Sequence, residues 1–139
     1  MPGCIFCDIL GGSRPAEIVL DEPRIAAFLD GRPLFPGHVL VVPREHIGTI
    51  EEIRGDLAGT LLTTVSRVAA AVRIAVAAEG TFVAMNNTVS QSVPHLHCHV
   101  VPRTRGDGLR GFFWPRTDYD DDAHRKAVAA SIIETLRTV

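Results

Sequence analysis

Apolar positions along this chain repeat with two different periods. Across residues 56–78, Leu57, Leu61, Leu62, Val65, Val68, Ala69 and Val72 recur at intervals of three and four. That spacing predicts one long helix with a buried stripe, and Gly80 follows where a helix C-cap is expected. Residues 123–137 carry a second, weaker stripe of Ile132, Ile133 and Leu136. Asp120, Asp121 and Asp122 stand ahead of it, where negative charge favours a helix start. The remaining apolar runs are short. Residues 17–20 and 24–30 read as strands joined by a turn at 21–23, residues 38–42 as a strand ended by Pro43, and residues 81–85 as another. Residues 4–11 predict a short helical turn that stops at Gly11-Gly12. Loops fall at 30–33, at Pro36-Gly37, over the polar run 86–92 and over the irregular stretch 103–117. With no repeat or linker, residues 1–139 read as one domain. Strands in two blocks with a helix between them predict an α+β fold, an antiparallel sheet with helices packed on one face.

The period-two signal is sharpest at His95-Leu96-His97-Cys98-His99, followed by Val100-Val101-Pro102. In extended backbone, residues two apart share a face, so the three imidazoles project from one side. Leu96, Cys98 and Val100 project from the other, toward a core. Three of the chain's six histidines lie in these five residues. Packing gives no reason to gather imidazoles on one face, whereas a base, a nucleophile or a metal ligand would use them.

Composition narrows the function classes. A chain of 139 residues, 46% of them apolar, can bury a proper core. A formal net charge of −2 is not the basic excess of a general nucleic-acid binder, so no nucleic-acid partner is expected. The N-terminus lacks the features of a signal peptide, and the richest apolar stretch, 68–78, is broken by Arg73. A cytoplasmic protein without a membrane partner is therefore expected. Three cysteines, an odd number, fit a reducing compartment better than a disulfide framework. Cys4 and Cys7 form a C-x-x-C. From the residues alone this is half of a tetrahedral zinc site, a redox pair without the usual βαβ surroundings, or two buried free thiols.

The stretch from Ser90-Gln91-Ser92 through His95, His97 and His99 to Pro102-Arg103 resembles the signature of the histidine-triad (HIT) family. Ile5-Phe6 with Ile9, Phe28-Leu29-Asp30, and Pro36-Gly37-His38 through Pro43 to His46 extend the resemblance over residues 4–116. It implies a five-stranded antiparallel sheet with one long helix and a C-terminal helix. It also implies a homodimer, in which two copies form a continuous ten-stranded sheet through the long helix and a neighbouring strand.

The resemblance further implies a purine nucleotide ligand, such as AMP or GMP, and chemistry at its α-phosphorus. His97 would be the nucleophile and His99 would stabilise the phosphate oxygens. Ser92 would offer a hydroxyl to a phosphate oxygen, Gln91 in the same turn would join the catalytic group, and backbone N–H groups of residues 90–92 would donate. Asn86 or Asn87 would sit near the sugar or phosphate; the shortened loop leaves open which. Asp30 would take the ribose hydroxyls, and Ile5, Phe6, Ile9, Phe28 and Leu29 would form the base pocket. Relatives implied by the resemblance hydrolyse nucleoside phosphoramidates or related nucleoside monophosphate derivatives. Others are dinucleoside polyphosphate hydrolases or phosphorylases, or nucleotide-binding modules with little turnover. Bacterial members similar to this chain bind a structural zinc, which here would take Cys4, Cys7, His46 and His95. Ser90 replaces a common glycine and Cys98 a larger apolar residue. His38 reads as a structural or pocket-edge residue and His124 as a surface one. Arg103, Arg105, Arg110 and Arg116, with Phe112-Phe113-Trp114-Pro115, read either as a packed surface loop or as the leaving-group side of the pocket.

Overall fold

The short apolar runs become strands and the three-and-four stripe becomes the main helix. The computed structural model describes residues 1–109 and 116–139, so Arg110 and the Phe112-Phe113-Trp114-Pro115 stretch lie outside the described residues. Met1–Asp107 and Gly108–Val139 are two compact units. The first contains α1 (Ile5–Leu10), β1 (Ile18–Asp21), β2 (Ile25–Leu29), β3 (Val39–Pro43), α2 (Leu57–Ala75), β4 (Gly80–Ala84) and β5 (Cys98–Arg103). The five strands form one sheet in the order β1-β2-β3-β5-β4, with every neighbouring pair antiparallel. This is the expected α+β sheet. The second unit contains α3 (Asp122–Leu136), whose N-cap Asp121 accepts the His124 N–H at 2.7 Å.

Each face of the sheet has its own core. Ile25, Ala27, Val39, Val41, Leu96, Cys98 and Val100 pack against Leu57, Leu61, Val65, Val68 and Val72 of α2. The opposite phase of the same strands, Ala26, Phe28, Leu40 and Val42, packs against Cys4 and Phe6 at the start of the chain. The expectation of helices on one face is thus corrected: α1 covers the face opposite α2. The physical reason is the composition of β2 and β3. They are apolar at nearly every position, and burying such side chains on both faces is worth about 1.5–3 kcal/mol each for Val, Leu or Phe. By length and composition α2 could cross a membrane, but its stripe is spent on this core.

Two boundaries differ from the expected ones. α2 stops at Ala75 because Ala77 is left-handed, with φ at 54°. The Ala77 N–H then bonds the Ile74 carbonyl at 3.2 Å and the Ala78 N–H the Arg73 carbonyl at 2.9 Å, a Schellman ending built on alanine. Gly80 is no C-cap; it opens β4 opposite Arg103. The second difference is that β5 begins only at Cys98, so His95 and His97 precede it. Pairing with β3 ends at Val41 opposite Cys98, and Pro43 has no N–H with which to continue it. The Leu96 N–H turns instead to the Ile47 carbonyl at 2.7 Å. The alternation of faces survives nonetheless: Leu96, Cys98 and Val100 are all fully buried on the α2 side.

Candidate functional site

The three histidines lie on the α1 side of the sheet, and His95 and His97 each have one ring nitrogen committed to a backbone carbonyl. His95 Nε2 is 2.8 Å from the Pro43 carbonyl oxygen, which can only accept. Its proton is therefore on Nε2, and Nδ1 presents a lone pair to Cys4 Sγ and Cys7 Sγ, both at 3.6 Å. His97 Nδ1 is 2.7 Å from the His95 carbonyl oxygen, so Nδ1 carries a proton and the neutral ring presents its lone pair at Nε2. For His99 the assignment passes through His38. The Leu34 N–H donates to His38 Nδ1 at 3.1 Å, so the His38 proton sits on Nε2. That Nε2 lies 2.9 Å from His99 Nδ1, and His99 must keep its own proton on Nε2. The site thus holds a nitrogen lone pair and an N–H donor on neighbouring rings whose centroids are 4.9 Å apart.

Burial tunes these groups. His97 is 2% exposed and packs edge-on against Phe6, with ring centroids 5.1 Å apart. Burial, then the neighbouring His97 and His38, push His99 down to about 4, with Asp30 pulling weakly the other way. Burial also lowers His38, again opposed by Asp30, whose Oδ2 is 3.7 Å from His38 Nε2. Both rings are therefore neutral at pH 7 and act through the hydrogen-bond directions just described.

Cys4, Cys7, His46 and His95 converge beside the triad, with one ligand atom from each lying within 4.8 Å of the others. Cys7 Sγ is 3.3 Å from His46 Nδ1. Metal–sulfur and metal–nitrogen bonds of zinc length, set at a tetrahedral angle, place S and N about 3.6 Å apart, so these donors fit such an ion. Two further features agree. His95 spends its second nitrogen on a backbone carbonyl, the usual orientation of a ligating imidazole. Burial and then Cys4 push the Cys7 thiol up, against the N-terminal ammonium, and a dication held here would draw it down.

Asp30, His38 and His99 also bring three ligand atoms together. A metal on His38 Nε2 would require the ring proton on Nδ1, where the Leu34 N–H already points, so this group is a hydrogen-bond chain rather than a metal site.

The other expected site residues divide. Phe6 and Phe28 are buried in the α1-side core with ring centroids 5.3 Å apart, Ile9 packs beside them, and Ile5 is exposed on α1. Leu29 is not brought to the site. It shares the phase of Ile25 and Ala27 and lines an apolar groove of about 600 Å³ beside Val68 and Val72 of α2, on the far face of the sheet. Ser90 and Ser92 are exposed in the loop before the triad, and Ser90 is left-handed with φ at 61°. Asn86 is half-buried. Asn87 and Gln91 turn their side chains onto backbone groups of residues 48–50 and 88. His38, read from sequence as a structural or pocket-edge residue, orients His99. The available signal was its even spacing with Leu40 and Val42, which puts it on the site face. Cys98 faces away from the site, its thiol pushed up to about 11 by burial.

A family profile described as HIT domain matches residues 12–106. The chain belongs to the HIT family. This HIT protein is 32% identical to an adenosine 5′-monophosphoramidase of Schizosaccharomyces pombe over 114 residues, which cover 81% of this chain and 83% of that one. Its fold superposes on the crystal structure of a HIT family member from Bacillus subtilis with a TM-score of 0.85 at 32% identity, covering 95% and 96% of the two chains. It likewise matches a zinc-bound histidine-triad protein from Mycobacterium smegmatis with a TM-score of 0.73 at 30% identity, covering 99% and 98%.

Proposed function

We propose that this HIT protein hydrolyses purine nucleoside phosphoramidates or related nucleoside monophosphate derivatives through a nucleotidyl-His97 intermediate. The observation that carries the proposal is the His97 tautomer: Nδ1–H donates to the His95 carbonyl and Nε2 is bare. His97 Nε2 attacks the α-phosphorus, an N–P bond forms, and the P–N bond to the leaving amine breaks. The amine departs with a proton from the site or solvent. Water then cleaves the histidine–phosphorus bond and releases the nucleoside monophosphate, splitting one hard displacement into two easier ones. His99 Nε2–H and the hydroxyl of Ser92 donate to the phosphate oxygens as charge builds there. Asp30 holds the ribose, and Ile5, Phe6, Ile9 and Phe28 receive the purine of AMP or GMP. The likeness to a yeast monophosphoramidase supports this substrate class.

Cys4, Cys7, His46 and His95 would hold a zinc ion. With four protein ligands its role would be structural, tying α1 to the segment that carries the triad. The protein acts in the cytoplasm as a homodimer, assembled through the exposed Leu62 and Ile74 of α2 and Val83 on the edge strand β4.

The test is AMP release from adenosine phosphoramidate, run beside diadenosine tri- and tetraphosphate, with His97→Asn as control. Turnover of the phosphoramidate, reduced by about a thousandfold or more in His97→Asn, is the expected result. Turnover of the dinucleotides alone moves the substrate class. Binding of AMP without turnover of any of them overturns the hydrolase.

A further inference from the structure

Residues 86–92 cross directly before the triad and are bolted to the segment that follows metal ligand His46. The Ile50 N–H donates to Asn87 Oδ1 at 2.8 Å. Gln91 Nε2 donates to the Gly48 carbonyl at 2.6 Å, and Gln91 Oε1 accepts the Thr88 N–H at 2.8 Å. Both polar atoms of the Gln91 side chain are thus engaged by backbone, as is the Asn87 carbonyl oxygen. Within this loop two residues other than glycine, Thr88 and Ser90, are left-handed, with φ at 66° and 61°. Such a conformation persists only where its surroundings over-determine it. The side-chain clamp supplies that constraint.

We propose that Gln91 and Asn87 are positioning residues that hold the phosphate-side loop against residues 48–50, and that neither touches the nucleotide. This rests on the nucleotide site proposed above. Ser92 follows Gln91 directly, so the clamp sets where the Ser92 hydroxyl and N–H present themselves. It also explains how serine can stand at position 90: the conformation is imposed from outside the residue.

Two measurements test it on the intact, metal-loaded protein. The first is amide hydrogen exchange by NMR, which needs no turnover. Gln91→Ala should speed exchange at the Thr88 amide, and Asn87→Ala at the Ile50 amide, by about fivefold or more for each lost bond. Asn87→Asp, which keeps the acceptor, should restore Ile50 to the wild-type rate. The second is the ratio of kcat/KM across phosphoramidates with different amines. Gln91→Ala should lower all of them together and leave the ratio within about twofold, because a residue that touches no substrate cannot discriminate among leaving groups. Unchanged exchange at both amides overturns the clamp. A ratio shifted by about tenfold returns Gln91 to the substrate's side. If the wild-type protein turns over no phosphoramidate, the hydrolase reading fails while the exchange data still decide the clamp.

Discussion

At the scale of single residues, the site is organised by which nitrogen of each imidazole holds the proton. Carbonyls at Pro43 and His95 and an N–H at Leu34 can each play only one role, and together they set four rings. Neutrality is part of the design. His99 is held at about 4 by burial first and by His97 and His38 next, against Asp30, while an unfolded histidine titrates near 6.5. Below pH 6.5 the unfolded chain therefore binds a proton that the folded site refuses. This contribution to stability is full above about 6.5 and declines toward 4, by about 1.4 kcal/mol per pH unit for the site. Urea midpoints at pH 7.5 and 5.0 check it. Wild type should lose about 2 kcal/mol more over that interval than His99→Asn. Equal losses would mean that His99 is free to charge in the fold. The triad's common face was legible from its period-two spacing, whereas the tautomers of His95 and His99 were not. The His97 ring finds its partner two residues away at the His95 carbonyl, but Pro43 and His38, which set the other two rings, lie 52 and 61 residues away and are supplied by the sheet.

At the scale of elements, the chain states where structure forms more clearly than where it stops. The α2 stripe was readable from 57 to 72, but its end was misplaced because Gly80 is the residue expected to cap a helix. Ala77 takes the left-handed position, where a Cβ meets the adjacent carbonyl. Ala77→Gly should therefore raise stability by about 1 kcal/mol. A thermal or denaturant midpoint equal to or below wild type would show that the turn is stabilised in some other way. β5 gives the converse lesson. The alternation began at His95, yet the ladder begins at Cys98, since side-chain phase needs only extended backbone and a ladder needs a partner with an N–H. Leu29 shows the cost of assigning a pocket by neighbourhood. It adjoins Asp30 in sequence, but its phase sends it to the opposite face.

At the scale of the whole molecule, the N-terminal segment and the triad are joined at the cysteine–histidine cluster. α1 has only six residues, too short to be stable alone, and its N-cap is Cys4. Cross-linking Cys4 and Cys7 to His46 and His95 would hold it on the sheet and press Phe6 against His97. Elemental analysis should find about one zinc per chain. Cys7→Ser should abolish the metal and lower stability by about 3 kcal/mol or more, roughly 10 °C in Tm. Metal-free wild-type protein with an unchanged Tm would remove zinc from the fold.

Local pattern alone determined the strands, the long helix, the face shared by the three histidines and the family to which they point, because each depends on residues within a few positions of one another. Only the tertiary structure decided that α1 lies opposite α2, that His38 orients His99, and that Asn87 and Gln91 reach backbone groups of residues 48–50. Each of these depends on a partner brought near by strand order β1-β2-β3-β5-β4. Strand order is set by the free energy of two buried faces taken together, and that sum has no local signature in the chain.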